Sequence, residues 1–294
     1  MTATLGKAAG VAAVPLAAAT VWPVLGGVSL GHLVNDTMQS IVTAIYPIIE
    51  PEFGLDYAQV GFLTFAFTVT ASLLQPLVGA ATDRRPMPWA LPLGMCCTLL
   101  GIVALAVAPR YGLLFVGAML IGVGSAVFHP EASRIARAAA GGRYGTAQSV
   151  FQVGGNFGHA AGPLLAAFIV TPFGRASALW FTLLAALGVV VLWRVARWYA
   201  RQVHPAARAR ATAAIQALPR GRLGWALVVL GILVLTKNAY LASFSSFYTF
   251  YVIERFDLSA QQSQLALFVF LLAGALGVVA GGPIGDRVGP LAVI

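Results

Sequence analysis

Four polar side chains lie at helical spacing inside one long apolar segment, about residues 22–49. They occupy positions i, i+3, i+4 and i+7 and so form one stripe along a helix: His32, Asn35, Asp36 and Gln39. A charged side chain at the centre of a bilayer costs on the order of 2.5–3.5 kcal/mol, which favours a water-filled cavity beside Asp36. We predict that Asp36 binds and releases a proton and that the other three side chains contact a ligand. A carboxylate capped by structural hydrogen bonds is the alternative.

A second apolar segment, about residues 144–170, has a polar face and a glycine face. The polar face holds Gln148, Gln152, Asn156 and His159. The other face holds Gly154, Gly158 and Gly162, with Pro163 following. Polar side chains suit a binding cavity, whereas small residues let a neighbouring helix approach closely. Gln152 and Asn156 are predicted ligand contacts, and His159 is either a ligand contact or a hydrogen-bonded packing residue.

His129 and Glu131 flank Pro130 near the end of the apolar segment 111–133. Histidine changes charge near neutral pH, so these two side chains are candidates for proton coupling along an exit route. The alternative is an anchor for the helix end, in which Glu131 pairs with Arg134 one turn later. Both interpretations stay open at this level.

The composition indicates which elements position these residues. Of the 294 residues, 59% are hydrophobic and 9% are charged, and the mean hydropathy is +0.86. Soluble domains carry roughly 25% charged residues, so this chain is predicted to lie in a membrane. Continuous apolar runs, rather than alternating ones, favour helices over a β-barrel. We predict an all-α membrane protein with helices at about 22–49, 59–81, 90–108, 111–133, 144–170, 177–195, 223–252 and 261–281.

The net charge of +9 comes mostly from arginines in the connections between these helices. An excess of Lys and Arg marks the cytoplasmic side of a membrane protein, so this distribution argues against nucleic-acid binding. It predicts a cytoplasmic N-terminal lead-in over 1–21, a six-helix bundle over 22–195 and a basic cytoplasmic linker over 196–222. The opposite side collects acidic residues: Glu50, Glu52, Asp56, Glu254 and Asp257.

The second part of the chain repeats the first. Gln59 falls on Gln262 and Asp83-Arg84 falls on Asp286-Arg287, an offset of 203 residues (262 − 59). Helices seven and eight therefore repeat helices one and two, which is the plan of a two-bundle transporter. Residues 223–294 are predicted to begin a second bundle. A complete bundle needs about four more helices, so the chain is predicted to be truncated at its C-terminus.

One motif occurs in both parts of the repeat, as Gly79-x-x-x-Asp83-Arg84 and as Gly282-x-x-x-Asp286-Arg287. The glycine permits a close helix crossing, and the Asp and Arg side chains can pair with neighbouring helix ends. The motif resembles the signature loop of the major facilitator superfamily. The resemblance implies the fold of that superfamily, two helical bundles around a central cavity. It also implies a gating role for these six residues, as a latch of the outward-facing state.

Three further stretches resemble the fosmidomycin resistance group within that superfamily: residues 31–36, 122–132 and 151–156. The resemblance implies proton-driven export of fosmidomycin, an anionic phosphonate antibiotic. Two features depart from related transporters. Ala118 stands where many proton-coupled relatives carry an Arg, which puts an Arg-centred coupling route in doubt. Ala166-Ala167 replaces a glycine pair found in antiporters, and small residues are thereby kept for close packing.

Lys237 and Asn238 lie in helix seven, which faces helix one across the cavity in the fold that the resemblance implies. Lys237 is predicted to pair with Asp36 or to bind the negative charge of a phosphonate. Alternation between these two partners would couple proton movement to substrate movement. Asn238 is predicted to be a further substrate contact.

The sequence therefore predicts a proton-coupled efflux antiporter in the inner membrane of a bacterium, monomeric once complete. Its predicted partners are protons, a small-molecule substrate and the lipid bilayer. The alternatives are an uptake symporter or facilitator for an organic anion, and a fragment that transports nothing. No enzyme activity, cofactor or metal site is predicted. Cys96 and Cys97 are adjacent in an apolar run and are predicted to be small core residues.

Overall fold

The computed structural model describes residue 17 and residues 19–202 and 220–288. These residues form helices and short connections, and no β-strand occurs among them. The α-helices are α1 Trp22–Ala44, α2 Tyr46–Phe53, α3 Tyr57–Arg84, α4 Ala90–Val107, α5 Tyr111–Ala138, α6 Tyr144–Leu165, α7 Thr171–Phe173, α8 Phe181–Gln202, α9 Arg220–Phe256 and α10 Ala260–Val288. A π-helical turn, Ala166–Val170, follows α6, and a 3₁₀ segment, Arg175–Trp180, precedes α8.

Six helical segments are long and apolar enough to cross a membrane: Tyr57–Arg84, Ala90–Val107, Tyr111–Ala138, Tyr144–Phe173, Arg175–Gln202 and Ala260–Gly277. Large apolar side chains of α8, such as Leu183, are exposed as expected for a face in contact with lipid. The helix α1 is not among the six because its polar stripe lowers its hydropathy. The prediction of an all-α membrane protein is confirmed.

The first predicted helix is interrupted at Ile45, so the prediction of one continuous helix over 22–49 is wrong. Pro47 lies in the first turn of α2 and has no N–H group with which to continue the hydrogen-bond ladder of α1. The amide of Ile48 would bond to Ala44 in a continuous helix. It donates instead to the carbonyl of Ile45, at 2.9 Å. The break leaves the carbonyl of Ala44 without its helical partner.

The helix α1 packs against α5, α6 and α8, so its polar stripe lies inside the first group of helices. The helix α5 is a second centre, because α3 and α4 both pack on it. Two glycines make these crossings close. A Cβ atom at Gly122 would lie 2.0 Å from Thr70 Oγ1, and one at Gly124 would lie 2.1 Å from Thr98 Oγ1. The helix α10 packs on α6, its π-helical turn and α9.

The sequence repeat is also a repeat of helix caps. The side chain of Asp56 accepts from the backbone N–H of Gln59 at the start of α3, at 2.7 Å. At the start of α10, the hydroxyl of Ser259 accepts from the N–H of Gln262, at 3.2 Å. Each glutamine also accepts from the N–H of its cap residue, so both helices begin with a capping box. The caps lie at the end of the bundle that carries the acidic residues, which we call the acidic end. The opposite end, with Arg84, is the basic end.

Arg175 joins three elements at the acidic end. It donates to both carboxylate oxygens of Glu52, at 2.8 to 3.0 Å. It also donates to the carbonyls at the end of α4, those of Leu105 at 2.5 Å and of Ala106 and Ala108 at 2.8 Å. A guanidinium group has the donors for such a set, whereas a lysine ammonium group has only three.

We therefore expect Arg175→Lys to lower the melting temperature of the purified protein by roughly 3–6 °C, because about 1.5 kcal/mol of charged hydrogen bonding is lost. Arg110→Lys is the matched control, since Arg110 is exposed at the same end and makes no hydrogen bond through its side chain among the described residues. Equal melting temperatures for the two variants would contradict the role given to Arg175.

Candidate functional site

The site is built around Asp36, which lies in the middle of α1 and is 2% exposed. Three imidazole rings approach its carboxylate from three helices. The Nε2 atoms of His32 and His159 lie 3.1 and 3.2 Å from Oδ2, and Nε2 of His129 lies 3.6 Å from Oδ1. We call these four side chains the Asp36 cluster. The structure thus brings together a predicted proton carrier from α1, a histidine of α5 and a histidine of α6.

Two amides hold the other carboxylate oxygen. Asn35 and Gln39 donate from their side-chain nitrogens to Asp36 Oδ1, at 3.0 and 2.7 Å. Ser125 of α5 donates to Gln39 Oε1 at 3.1 Å. The three predicted ligand contacts of α1 are nearly or fully buried, since His32, Asn35 and Gln39 are 4%, 0% and 8% exposed. They contact Asp36 and hold its carboxylate in place.

The hydrogen bonds of His32 fix where one proton resides. Nδ1 of His32 lies 2.8 Å from the carbonyl oxygen of Phe151, and a carbonyl only accepts, so Nδ1 carries a hydrogen. The ring of Phe151 stacks on His32 with 4.0 Å between centroids, which restrains the imidazole. Nε2 then faces Asp36 Oδ2 at 3.1 Å, and this contact requires a hydrogen on one of the two atoms. His32 and Asp36 therefore share one proton in addition to the hydrogen on Nδ1.

His129 of α5 approaches the carboxylate from the other side. Its Nδ1 lies 3.0 Å from the carbonyl oxygen of Ser125, so this nitrogen also donates to the backbone. Its Nε2 is directed at Asp36 and is 3.6 Å from Oδ1, an oxygen that already accepts from two amides. The side chain of His129 is 28% exposed and that of His159 is 49% exposed. Two partly exposed imidazoles therefore lie next to the buried carboxylate.

Glycines of α6 create the space for this cluster. A Cβ atom at Gly154 would lie 2.1 Å from the carbonyl oxygen of Ser29, and one at Gly158 would lie 2.5 Å from that of Leu33. A Cβ atom at Gly162 would lie 2.0 Å from the hydroxyl of Ser40. Pro163 follows in the same buried stretch of α6. The predicted glycine face of α6 is thus in contact with α1.

Gly155 was not assigned a role from the sequence. A Cβ atom there would lie 2.5 Å from His32 Nε2 and 2.9 Å from Asp36 Oδ2. Only a residue without a side chain leaves room for the His32–Asp36 pair at this point of α6. The sequence signal for this role was that Gly155 directly follows Gly154. Gly154 packs on the backbone of α1 at Ser29, and Gly155 packs on the polar stripe of α1 at His32 and Asp36.

The polar face of α6 extends the site away from Asp36. Gln148, Gln152 and His159 are exposed, and Asn156 is partly buried. Nδ2 of Asn156 has no hydrogen-bond partner among the described residues, although the atom itself is buried. The polar face of α6 is therefore the more accessible part of the site, whereas His32, Asn35 and Gln39 of α1 are buried.

A separate network lies at the basic end. Arg134 of α5 contacts both Glu131 and Asp83, and its Nη2 is 3.5 Å from the carbonyl oxygen of Gly79. Glu131 is fully buried. The structure therefore pairs Glu131 with Arg134 one turn away, as the anchoring interpretation expects, while His129 joins the Asp36 cluster. A cavity of about 630 Å³ opens beside this network, lined by Asp83, Arg134, Arg137, Tyr144 and Gln148, among others.

The predicted site residues of the second part of the chain have different outcomes. Lys237, Asp286 and Arg287 have side chains outside the described part of the chain, and the surroundings of Gly282 are likewise not described. Asn238 is exposed on α9, and no described hydrogen bond joins it to the cluster. Arg84 is exposed at the end of α3 and forms no salt bridge within the described residues.

The cluster also contains potential metal ligands. One atom each of His32, Asp36 and His129 can be chosen so that all lie within 4.8 Å of one another. Four contacts of the Asp36 carboxylate favour a hydrogen-bonded cluster over a coordinated ion. Oδ1 of Asp36 accepts from Asn35 and Gln39, and Oδ2 lies at hydrogen-bond distance from two imidazole nitrogens. The four groups thus form a hydrogen-bonded cluster around one carboxylate.

Comparison with known proteins identifies the class. A model of the Major Facilitator Superfamily matches residues 28–294 of this chain. The chain belongs to the major facilitator superfamily. The transporter is 51% identical over 287 residues to the fosmidomycin resistance protein of Escherichia coli K12, covering 97% of this chain and 70% of that protein. It is 42% identical over 279 residues to the MFS-type transporter YfnC of Bacillus subtilis 168, covering 94% of this chain and 68% of YfnC.

Solved structures agree with this family. A bacterial homologue of the human lysosomal transporter Spinster, in an inward-facing and unoccupied conformation, superposes with a TM-score of 0.70 at 17% identity. The match covers 91% of the transporter and 63% of that protein. The chain therefore spans less than two thirds of the solved structure that it matches, and the likeness concerns the fold alone.

These comparisons confirm several predictions from the sequence. The chain has the major facilitator fold, and it resembles a fosmidomycin resistance protein. It is a multi-pass membrane protein of a transporter family and not an enzyme.

Proposed function

We propose that this transporter exports fosmidomycin or a related small phosphonate in exchange for protons, and that it does so as a monomer in the bacterial inner membrane. The proposal rests on one observation, the convergence of three imidazole rings on the buried carboxylate of Asp36. Its substrate name comes from the 51% identity to the fosmidomycin resistance protein. Residues 22–195 form the first bundle in this proposal, 196–222 the linker and 223–294 the start of the second.

The orientation follows from charge. The basic end has an excess of arginines, and the acidic end has an excess of carboxylates. We therefore place the basic end and the N-terminus in the cytoplasm. The network of Gly79, Asp83 and Arg134 then lies at the cytoplasmic face, where the matching residues of α10 would form its counterpart. We propose a gating role for the two copies of the motif, Gly79, Asp83 and Arg84 with Gly282, Asp286 and Arg287.

The exchange step depends on the protonation state of Asp36. With Asp36 ionised, Nε2 of His159 lies 3.2 Å from the carboxylate, and the exposed edge of this imidazole can donate to a phosphonate next to Gln152 and Asn156. Protonation of Asp36 removes the anion that holds His159 in this position, so the drug leaves as the proton binds. Drug and proton therefore occupy the site in turn and cross the membrane in opposite directions. Lys237 and Asn238 are proposed as contacts from the second bundle.

Ala118 stands where many proton-coupled relatives carry an arginine, and a histidine on the same helix is a candidate substitute for that arginine. Ala118 is fully buried in α5, so no cation stands at the position where many proton-coupled relatives carry an Arg. His129 lies on the same helix and is directed at Asp36. We propose that imidazoles supply the positive charge that an arginine supplies in those relatives, and that His129 connects the cluster to the basic end.

The proposal is tested by measuring the susceptibility to fosmidomycin of a bacterium that lacks its own phosphonate exporters and expresses this protein. We expect the protein expressed from its complete coding sequence to raise the inhibitory concentration of fosmidomycin by at least about fourfold over an empty vector. Efflux of a preloaded drug from those cells distinguishes export from altered uptake. Sensitivity equal to that of the empty vector, with the protein shown to be in the membrane, would remove the substrate assignment. Increased sensitivity would favour uptake of the anion.

A further inference from the structure

The two parts of the chain are joined at the acidic end by side-chain contacts. Thr64 of α3 hydrogen-bonds to Tyr46 at 2.9 Å and to Ser246 of α9 at 3.0 Å. Tyr57 donates to Glu254, also at that end. Ser246 is 1% exposed, so the hydroxyl contact is shielded from solvent. These contacts join the two parts of the chain at the acidic end, an arrangement that we call closed at that end.

One further contact depends on the break in α1. Gln264 of α10 donates from Nε2 to the carbonyl oxygen of Ala44, at 2.5 Å. This is the carbonyl that loses its helical partner because Ile48 donates to Ile45 instead. A buried carbonyl without a donor is unfavourable. The side-chain amide of Gln264 therefore supplies the hydrogen bond that the carbonyl of Ala44 loses when Pro47 interrupts the helix.

Gln264 is itself poorly satisfied. The residue is 0% exposed, and its Oε1 atom has no hydrogen-bond partner among the described residues. A glutamine that served packing alone would be replaced by an apolar side chain of similar size at lower cost. An amide that is half satisfied in the closed arrangement suits a residue that exchanges partners when the two parts separate.

We propose that Gln264 is a gating residue, which holds the acidic end closed by capping the carbonyl that the break in α1 exposes. Separation of α10 from α1 breaks this hydrogen bond and lets water reach both groups. The broken helix thus provides a backbone acceptor at the contact, and Gln264 provides the matching donor from the second part of the chain. The inference rests on the transporter class and on neither the substrate nor the proton.

The test measures opening directly. Spin labels at the exposed positions Ala58 and Arg255 report the separation of α3 and α9 at the acidic end, in a variant whose Cys96 and Cys97 are replaced by alanine. Gln264→Met removes the donor and keeps the size of the side chain. We expect a several-fold larger population of long distances in Gln264→Met than in the parent. Gln261→Met is the matched control, since Gln261 is exposed one turn earlier.

A loss of packing alone would reduce the yield or the melting temperature without moving the distance populations. A second measurement guards against poor folding of the purified variant. Cysteines at Thr64 and Ser246, whose hydroxyl oxygens are 3.0 Å apart, are crosslinked in native membranes. Slower crosslinking in the presence of Gln264→Met supports the proposal, and an unchanged rate together with unchanged distances overturns it. Neither assay contains drug or a proton gradient, so the export proposal stands or falls separately.

Discussion

Replacing Asp36 with Asn is expected to abolish drug resistance while the protein still reaches the membrane. Asn keeps the shape of the side chain but does not hold the proton that His32 and Asp36 share. Proton exchange requires an ionisable side chain at this position, and an amide does not bind and release a proton. We therefore expect the transport rate to fall by well over tenfold, measured as drug efflux per molecule of membrane protein.

Asp257→Asn is the control for this experiment. Asp257 is exposed at the acidic end and lies outside the cluster, so its loss should leave efflux within about twofold of the parent. His159→Asn should produce an intermediate defect, because His159 contacts Asp36 but is half exposed. Full efflux by Asp36→Asn would assign the carboxylate a structural role, which is the alternative that the sequence left open.

Gly154→Val is expected to separate α1 from α6. The first added carbon would lie 2.1 Å from the carbonyl oxygen of Ser29, a backbone atom that cannot turn aside. Overpacking of this kind costs about 3 kcal/mol, so the melting temperature should fall by roughly 6–12 °C. The same displacement would lengthen the contact between His32 and the carbonyl of Phe151, so transport should decline as well.

Gly145→Val is the matched control on the same helix. No atom lies within 4 Å of a Cβ atom built at Gly145, and the change carries the same β-branched side chain. Its melting temperature should lie close to that of the parent. If both variants melted equally early, helix propensity and not the α1–α6 contact would explain the loss.

The sequence predicted the parts of the site that lie along one helix. The stripe of α1 and the glycine face of α6 follow from helical spacing alone, and both occur in the structure. The repeat at Gln59 and Gln262 likewise has a local physical basis, because each residue completes a capping box.

Contacts between helices were harder to anticipate. His129 and Asp36 are far apart in the chain, and their contact depends on how α5 is rotated about its axis. Spacing placed His129 and Glu131 together, yet the helix directs one to the cluster and the other to Arg134. The role of Gln264 depends on a break in α1 that continuous hydropathy concealed. Such contacts are properties of packing and not of any single segment.

The most direct test of proton exchange is a flux measurement in sealed proteoliposomes that hold a pH-sensitive dye. The complete protein is reconstituted without an imposed pH gradient, and fosmidomycin is supplied on one side. The account predicts that drug movement drives protons in the opposite direction, and that Asp36→Asn shows neither flux. Drug movement at an equal rate without any proton movement would contradict it. The Asp36 cluster would then be a structural element of a simple facilitator.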